Sequence, residues 1–359
     1  MPFTAGNRVE MIRPGPVYFR RILEVLEQAT SNIAIEVYAV WDGVIGGALV
    51  DVLCNRASIG VSVRILADAI GSRMLSAKSR YRLRQSGVDL RIYNPLSVWH
   101  PHRGLRRTHR KIVIADDQMA FVGGFNFVDT FLGTPVDEPW LECVVEVEGP
   151  AVTQIRSAFD RAWTGDVKTV PATNDMRGES RVLALNSSPE NGQCTVSDMY
   201  GAFVDCSKLR LWMWNPFFLP NQDLMQRLEY AVRRGVDVSV IVPGRAAAYP
   251  VLLHANRNRY RALLNRGIRI FEFEPAMLHA KVAVADSRLT LIGSANLDAR
   301  SNLNEEFTLM VDDADVASSC EAAYVGDLAR SREVTDHLLR RGAGDRACQA
   351  LAGIVERFL

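Results

Sequence analysis

The chain has 359 residues, 48% of them hydrophobic, enough to bury a large core and to fill two or three domains. Its 42 Lys and Arg stand against 41 Asp and Glu, a formal charge of +1. That balance argues against a dedicated nucleic-acid binder while leaving room for a local basic groove.

Residues 1–14 are polar and are expected to be loose. Residues 18–28 carry Phe19, Ile22, Leu23, Val25 and Leu26 at helical spacing. Residues 33–40 read as a strand containing Glu36 and Tyr38, followed by an Asp42-Gly43 turn. A helix over 46–56, a strand over 61–68, a helix over 77–85 and a strand over 88–93 come next. The second half repeats this order: helix 196–205, strand 209–214, helix 223–233, strand 236–242, helix 257–265, strand 268–273. Gly60-Val61 answers to Gly235-Val236, and Gly87-Val88 to Gly267-Ile268. A strand over 307–311 and helices over 315–330 and 346–357 close the chain. Helices alternating with strands predict an α/β fold of two similar lobes, residues 1–164 and 182–359, joined by a linker over 165–181 with Pro171, Asn174, Asp175 and Gly178.

Each half then carries the same motif. His109, Lys111 and Asp116 are followed by Gly123-Gly124 and Asn126; His279, Lys281 and Asp286 are followed by Gly293-Ser294 and Asn296. The five-point spacing is identical. Residues 112–115 and 282–285 are short apolar runs that read as buried strands, and 119–122 and 289–292 as their hairpin partners. His and Lys two apart on a strand point the same way. Gly-Gly or Gly-Ser at the end of the second strand lets the backbone approach a bound anion, so Gly123, Gly124, Gly293 and Ser294 are candidate phosphate contacts. Lys and Asn can hold phosphate oxygens as charge develops. One His can attack phosphorus while the other protonates the departing oxygen. The residue pattern does not say which His does which. Asp116 and Asp286, at the hairpin turns, are expected to hold local structure.

The doubled motif resembles the His-Lys-Asp motifs of the phospholipase D superfamily, and the chain from about residue 17 onward is similar to the cardiolipin synthase branch without amino-terminal membrane spans. Supporting stretches are Ile35-Glu36-Val37-Tyr38, residues 60–68, 147–152 and 271–275, and Asn296-Leu297-Asp298-Ala299-Arg300-Ser301. The resemblance implies two lobes, each a mixed sheet flanked by helices, around one shared cleft. It implies a phosphatidyltransferase that works through a phosphohistidine intermediate on phosphatidylglycerol or a similar phospholipid, with no cofactor or metal and no nucleic-acid partner. Phospholipase D-type hydrolysis, or phosphodiester cleavage of nucleic acid, is the alternative. By resemblance His109 is the nucleophile and His279 the general acid. A downstream carboxylate orients each His: Glu142 in the first lobe, with Asp137 and Glu138 as rivals, and Glu306 in the second, with Glu305 as rival.

Other features carry weaker expectations. The stretch from Asn94 to Arg107 interrupts the repeat; Arg103, Arg106 and Arg107, with Arg110, could make a phosphate-binding strip, and His100 and His102 are remote metal candidates. Trp99, Phe127, Phe131 and Trp140, near the first motif, could line an acyl-chain channel, rest on a bilayer surface or pack in the core beside the cleft; Trp212 and Trp214 suit core packing, while Phe217 and Phe218 stand between core and lipid contact. Six cysteines form no Cys-x-x-Cys pair, and Cys54, Cys143 and Cys320 read as buried thiols. No leader is recognisable, and no apolar run approaches the roughly 18 residues of a spanning helix. The expectation is a cytoplasmic protein, peripherally membrane-associated.

Overall fold

The computed structural model describes residues 2–95, 106–165, 175–188, 195–248 and 250–335. The first half runs β1 (Thr4–Ile12), α1 (Gly15–Gln28), β2 (Asn32–Val37), α2 (Val44–Ser58), β3 (Ser62–Asp68), α3 (Ala77–Gln85), β4 (Asp89–Tyr93), β5 (Ile112–Ala115), β6 (Met119–Gly123), β7 (Val144–Glu148) and α4 (Ala151–Thr164). The second repeats it as β8 (Ser180–Ser187), α5 (Val196–Cys206), β9 (Arg210–Trp214), α6 (Gln222–Arg233), β10 (Asp237–Pro243), α7 (Pro250–Leu264), β11 (Arg269–Phe273), β12 (Val282–Ala285), β13 (Leu289–Gly293), β14 (Glu306–Asp312) and α8 (Ala314–Leu328). A short β15 (Ser331–Glu333) caps the edge against β11.

All of these strands form one mixed sheet, ordered β15-β11-β10-β9-β12-β13-β14-β8-β1-β7-β6-β5-β2-β3-β4. Leaving β15 aside, the order is a palindrome about the β1–β8 pair. In each half three strands are parallel, with helical crossovers, and the motif hairpin adds antiparallel strands beside them. Four glycines end helices and turn the chain into the next strand: Gly60, Gly87, Gly235 and Gly267 have φ of 96, 92, 90 and 79°. Only glycine holds that left-handed geometry without cost, which is why Gly-Val or Gly-Ile recurs at these places.

Helices cover both faces of the sheet. Tyr18, Phe19, Ile22, Val25 and Leu26 of α1 pack with residues of α2 and α3 on one face of the first lobe. Helices α5, α6 and α7 do the same for the second. The third core belongs to both lobes: α4 (Val152, Ile155, Phe159) and α8 (Val316, Ala317, Cys320, Tyr324) share it with β5 and β12. Strands β5 and β12 are buried along their whole length, which explains their unbroken apolar runs.

One sequence expectation needs correction. The opening residues are not loose: β1 lies mid-sheet, paired with β7 and with β8. Its Gly, Asn and Arg residues hide a strand whose partners come from far along the chain. Strand β7 and helix α4 have no counterpart in the sequence reading, although Ala151, Val152, Ile155, Ala158, Phe159 and Trp163 mark one buried helix face. The linker expected over 165–181 lies largely outside the described residues, and β8 begins within its last two positions. The helix expected over 346–357, with His100, His102, Trp99 and Arg103, also lies outside them.

Candidate active site

The motif hairpins place the chemistry at one strand end and its anchor at the other. At the β5–β6 and β12–β13 turns, Asp116, Asp117, Asp286 and Ser287 all have φ between 52 and 56°, and short polar side chains tolerate this region best. The Asp116 carboxylate accepts N–H bonds from Thr30 (2.8 Å), Ser31 (2.7 Å) and Asn32 (2.9 Å). Partial burial opposes its ionisation, yet these donors outweigh burial and hold its pKa down at about 2. Asp286 likewise accepts from Lys208, Leu209 and Arg210 N–H. Both aspartates therefore staple the hairpin to the loop before β2 or β9, a strand's length from the imidazoles.

The histidines are held across the lobe boundary. His109 Nδ1 lies 2.9 and 3.1 Å from the two carboxylate oxygens of Glu306. His279 Nδ1 lies 2.5 Å from Glu142 Oε2. The lobe-by-lobe assignment expected from sequence is thus crossed: the same two glutamates, with partners exchanged. Backbone straps impose the exchange. His109 N–H donates to Glu305 O (2.9 Å) and Glu305 N–H to Arg107 O (2.9 Å). Symmetrically, His279 N–H donates to Leu141 O (2.8 Å) and Leu141 N–H to Met277 O (2.8 Å). Nδ1–H directed at a carboxylate leaves the Nε2 lone pair for chemistry.

The rivals are engaged elsewhere. Glu305 takes Arg110 (2.5 Å) and the Ser188 hydroxyl (2.8 Å). Asp137 bonds Thr134, and Glu138 pairs with Arg330 on the surface.

Each glutamate rests on the turn that follows its own lobe's second hairpin strand. A Cβ on Gly124 would sit 2.0 Å from Glu142 Oε2, so only glycine leaves room for that carboxylate. In the other lobe Ser294 donates its hydroxyl to Glu306 (2.5 Å). This corrects the expected anion contacts. Gly124, Gly293 and Ser294 N–H groups donate to Cys143, Lys281 and Phe307 carbonyls, and Gly123 pairs with Val144 in the sheet. Gly124 and Ser294 seat the glutamates, Gly123 and Gly293 let the backbone of the neighbouring strand come close, and the Gly124, Gly293 and Ser294 amides are spent within the protein.

The lysines and asparagines complete the ring. Lys111 Nζ donates to His109 O (2.5 Å), and Lys281 Nζ to His279 O with Glu142 3.6 Å away. Asn126 Oδ1 accepts Ala39 N–H (3.0 Å), which leaves its amide NH2 as a donor. Asn296 Oδ1 is buried without a partner. Burial pushes Lys111 down to about 7 and Lys281 to about 8, against the pull of Glu306 and Glu142. Burial also lowers both imidazoles: Glu306 pulls His109 partly back against it, whereas at His279 the two lysines and His109 add to burial and drive the imidazole well below its ordinary value. The Glu142 carboxyl is pushed up by burial to about 7. A polar site this buried sheds charge until an anion enters.

The two sides of the cleft differ. Tyr38 packs edge-on against His109 at 5.3 Å, while Phe131 and Trp140 lie 5.6 and 6.0 Å from His279. Behind His109 is a buried ionic network: Thr108 Oγ1 donates to Glu36 (2.5 Å), Arg107 faces Asp68 (3.4 Å), and Arg110 binds Glu305. Arg107 and Arg110 therefore face inward to carboxylates and make no phosphate-binding strip, contrary to the sequence expectation. Behind His279 the corresponding residues are Leu278 and Ala280.

A cavity of about 410 Å³ opens beside the second motif, lined by Val196, Leu219, Leu224, Leu297, Arg259 and Asp298 among others. In the first lobe Asp129, where the second has Ala299, caps α2 by accepting the Val44 and Ile45 N–H groups. Of the aromatics near the motifs, Phe127, Phe131, Trp214 and Phe218 are buried while Trp140, Trp212 and Phe217 are half-buried, and Trp214 donates to Asp327 (2.9 Å). Tyr38, Gly124 as the seat of Glu142, and the Ser294–Glu306 bond escaped the sequence reading; the Gly-Gly and Gly-Ser pairs were the available signal.

Comparisons with known proteins agree with this architecture. The family described as cardiolipin synthase, PLD-like domain, matches residues 22–163 and 203–326. Cardiolipin synthase A of Pseudomonas putida is 32% identical over 342 residues, covering 93% of this chain and 71% of that protein. Its counterpart from Pseudomonas syringae pv. syringae has the same identity and coverage. Among solved structures, phosphatidylserine synthase of Haemophilus influenzae Rd KW20 superposes with a TM-score of 0.76 at 14% identity, over 100% of this chain and 95% of that one. Polyphosphate kinase of Porphyromonas gingivalis gives 0.62 at 13% identity, over 98% and 53%.

Proposed function

The chain belongs to the PLD-like cardiolipin synthase domain family, and from that premise we propose that it is a phosphatidyltransferase acting on phospholipids. One observation carries the mechanism: two imidazoles, each held at Nδ1 by a glutamate of the other lobe, share a buried cleft with two lysines.

In this reading Lys111, Lys281, Asn126 and Asn296 hold the donor phosphate, whose negative charge returns protons to the lysines. His109 Nε2 attacks phosphorus, and the P–O bond to the leaving alcohol breaks as that oxygen takes a proton from His279. The proton is held by the Glu142 carboxyl, which burial pushes up to about 7 and which lies 2.5 Å from His279 Nδ1, within reach of the imidazole that passes it on. This supports His279 as the acid and leaves His109 as the nucleophile. The acceptor hydroxyl then gives its proton to His279 and displaces His109 from phosphorus, with net retention. Phosphatidylglycerol is the donor and acceptor proposed. Water in place of the acceptor gives hydrolysis to phosphatidic acid. The nucleic-acid alternative loses its main support, since Arg107 and Arg110 are occupied within the protein.

Among the described residues no helix is long and apolar enough to cross a membrane, so those residues reach lipid from the surface in this reading. The test is mass spectrometry of lipids after incubation with phosphatidylglycerol vesicles in EDTA. Wild type is expected to form cardiolipin and glycerol, and His109→Ala to lose at least about 1,000-fold. Phosphatidic acid alone would make the enzyme a hydrolase, and no lipid change would overturn the reading.

A further inference from the structure

The buried state of Phe218 and Trp214 leaves open which surface meets the lipid. Large apolar side chains are exposed instead on the first-lobe rim: Val44 is 69% exposed, Met74 56%, Tyr81 64% and Trp41 38%. Exposed apolar residues scattered singly are ordinary. Trp41, Val44 and Met74 are not scattered. Trp41 Nε1–H donates to Gly71 O (2.8 Å), and Asp42 N–H to Met74 O (3.2 Å), so the loop before α2 and the loop before α3 are stitched side by side.

That pair of loops is at the cleft. Ser72, between Gly71 and Met74, donates its hydroxyl to Tyr38 O (3.0 Å), and the Tyr38 ring packs on His109. Among the described residues, the second lobe does not repeat the exposed Trp41 tip. Trp41 N–H donates to Phe127 O and Leu219 N–H to Leu297 O, so Leu219 is the counterpart of Trp41, yet Leu219 is buried.

Charge is concentrated at the same place. Residues 73–84 contain Arg73, Lys78, Arg80, Arg82 and Arg84 and no acidic residue, in a chain whose formal charge is only +1. Arg82 pairs with Asp51, and Arg80 lies near Asp42. Arg73, Lys78 and Arg84 make no ion pair among the described residues. Lys78, Tyr81 and Arg82 share one face of α3 at spacings of three and four, while Leu83 turns into the core. Cations flanking exposed aromatic and aliphatic tips suit an anionic bilayer: the tips enter the headgroup layer and the ammonium and guanidinium groups meet lipid phosphates.

We propose that the rim formed by Trp41, Val44, Met74 and the basic helix α3 docks on an anionic lipid bilayer and presents the cleft to it. This rests on the lipid-transfer reading above and adds the surface through which substrate arrives. A nucleic acid would use the cations but leave the apolar tips without a role.

The test is flotation of the full chain with phosphatidylglycerol-containing vesicles or pure phosphatidylcholine vesicles. Two variants are compared, Trp41→Ser/Val44→Ser/Met74→Ser and Lys78→Glu/Arg84→Glu. Wild type should partition onto the anionic vesicles and little onto the zwitterionic ones. Each variant should lose at least about 10-fold in partitioning, while turning over monomeric short-chain phosphatidylglycerol at the wild-type rate. Equal flotation of wild type and both variants would overturn the proposal, as would binding of duplex DNA without binding of vesicles. Vesicle binding with no lipid turnover would sink the activity reading and leave the docking surface standing. Turnover of monomeric lipid without vesicle binding would do the reverse.

Discussion

At the scale of single residues, the site is governed by burial of groups that would prefer water. Two lysines and two glutamates are buried around two histidines that keep a small exposed edge, and their protonation adjusts until a phosphate supplies the missing negative charge. A pH profile follows. The scheme needs His109 neutral, and burial lowers its pKa, so activity should persist below pH 6.5. It also needs a proton on the His279–Glu142 pair and on both lysines, with Glu142 and Lys111 near 7 and Lys281 near 8. These lose protons as pH rises, so kcat/KM should fall as pH rises above about 7. Glu142→Gln keeps an acceptor for His279 but removes the carboxyl that stores the proton. It should lower kcat roughly 100- to 10,000-fold and shift the alkaline limb. Stopped assays across pH 5–9 with wild type and variant check this; an unmoved limb would separate Glu142 from the proton.

At the scale of elements, the motif hairpin works because its two ends are anchored by different means. One end carries His and Lys; the other carries an aspartate that collects backbone donors from a neighbouring loop. The folded pKa of Asp116, about 2, lies below the ordinary aspartate value, so its contribution to stability is present above pH 4 and is lost as pH falls toward 2. Asp116→Asn should therefore cost about 1–2 kcal/mol at pH 7, after allowance for partial exposure. Its difference from wild type in denaturant unfolding should shrink between pH 4 and 2. A constant difference would mean that shape, not charge, holds the turn. The aspartates were legible in the sequence as turn residues because left-handed backbone favours them locally. The anion role expected of the Gly-Gly and Gly-Ser pairs was misread, because a glycine makes room equally well for a phosphate or for a glutamate from the next strand.

At the scale of the whole molecule, the lobes are one cooperative body. They share the central sheet through β1 and β8, the core under α4 and α8, and both His–Glu pairs. Phe159→Ala in that shared core should cost about 3–5 kcal/mol. Calorimetry should still show a single transition, lowered for both lobes; two resolved transitions would mean that the lobes fold separately. The sequence by itself determined the duplication, the α/β class, the hairpins and the residues that carry the chemistry, because each rests on local periodicity, turn chemistry and a spacing repeated within one chain. Only the tertiary structure decided that β1 lies mid-sheet, that Arg107 and Arg110 turn inward, that Trp41, Val44 and Met74 are exposed, and that each glutamate serves the opposite histidine. The crossed pairs depend on how two lobes dock, through contacts 197 and 137 positions apart, and the inward turn of Arg107 depends on Asp68, 39 positions away; a linear pattern carries no trace of either.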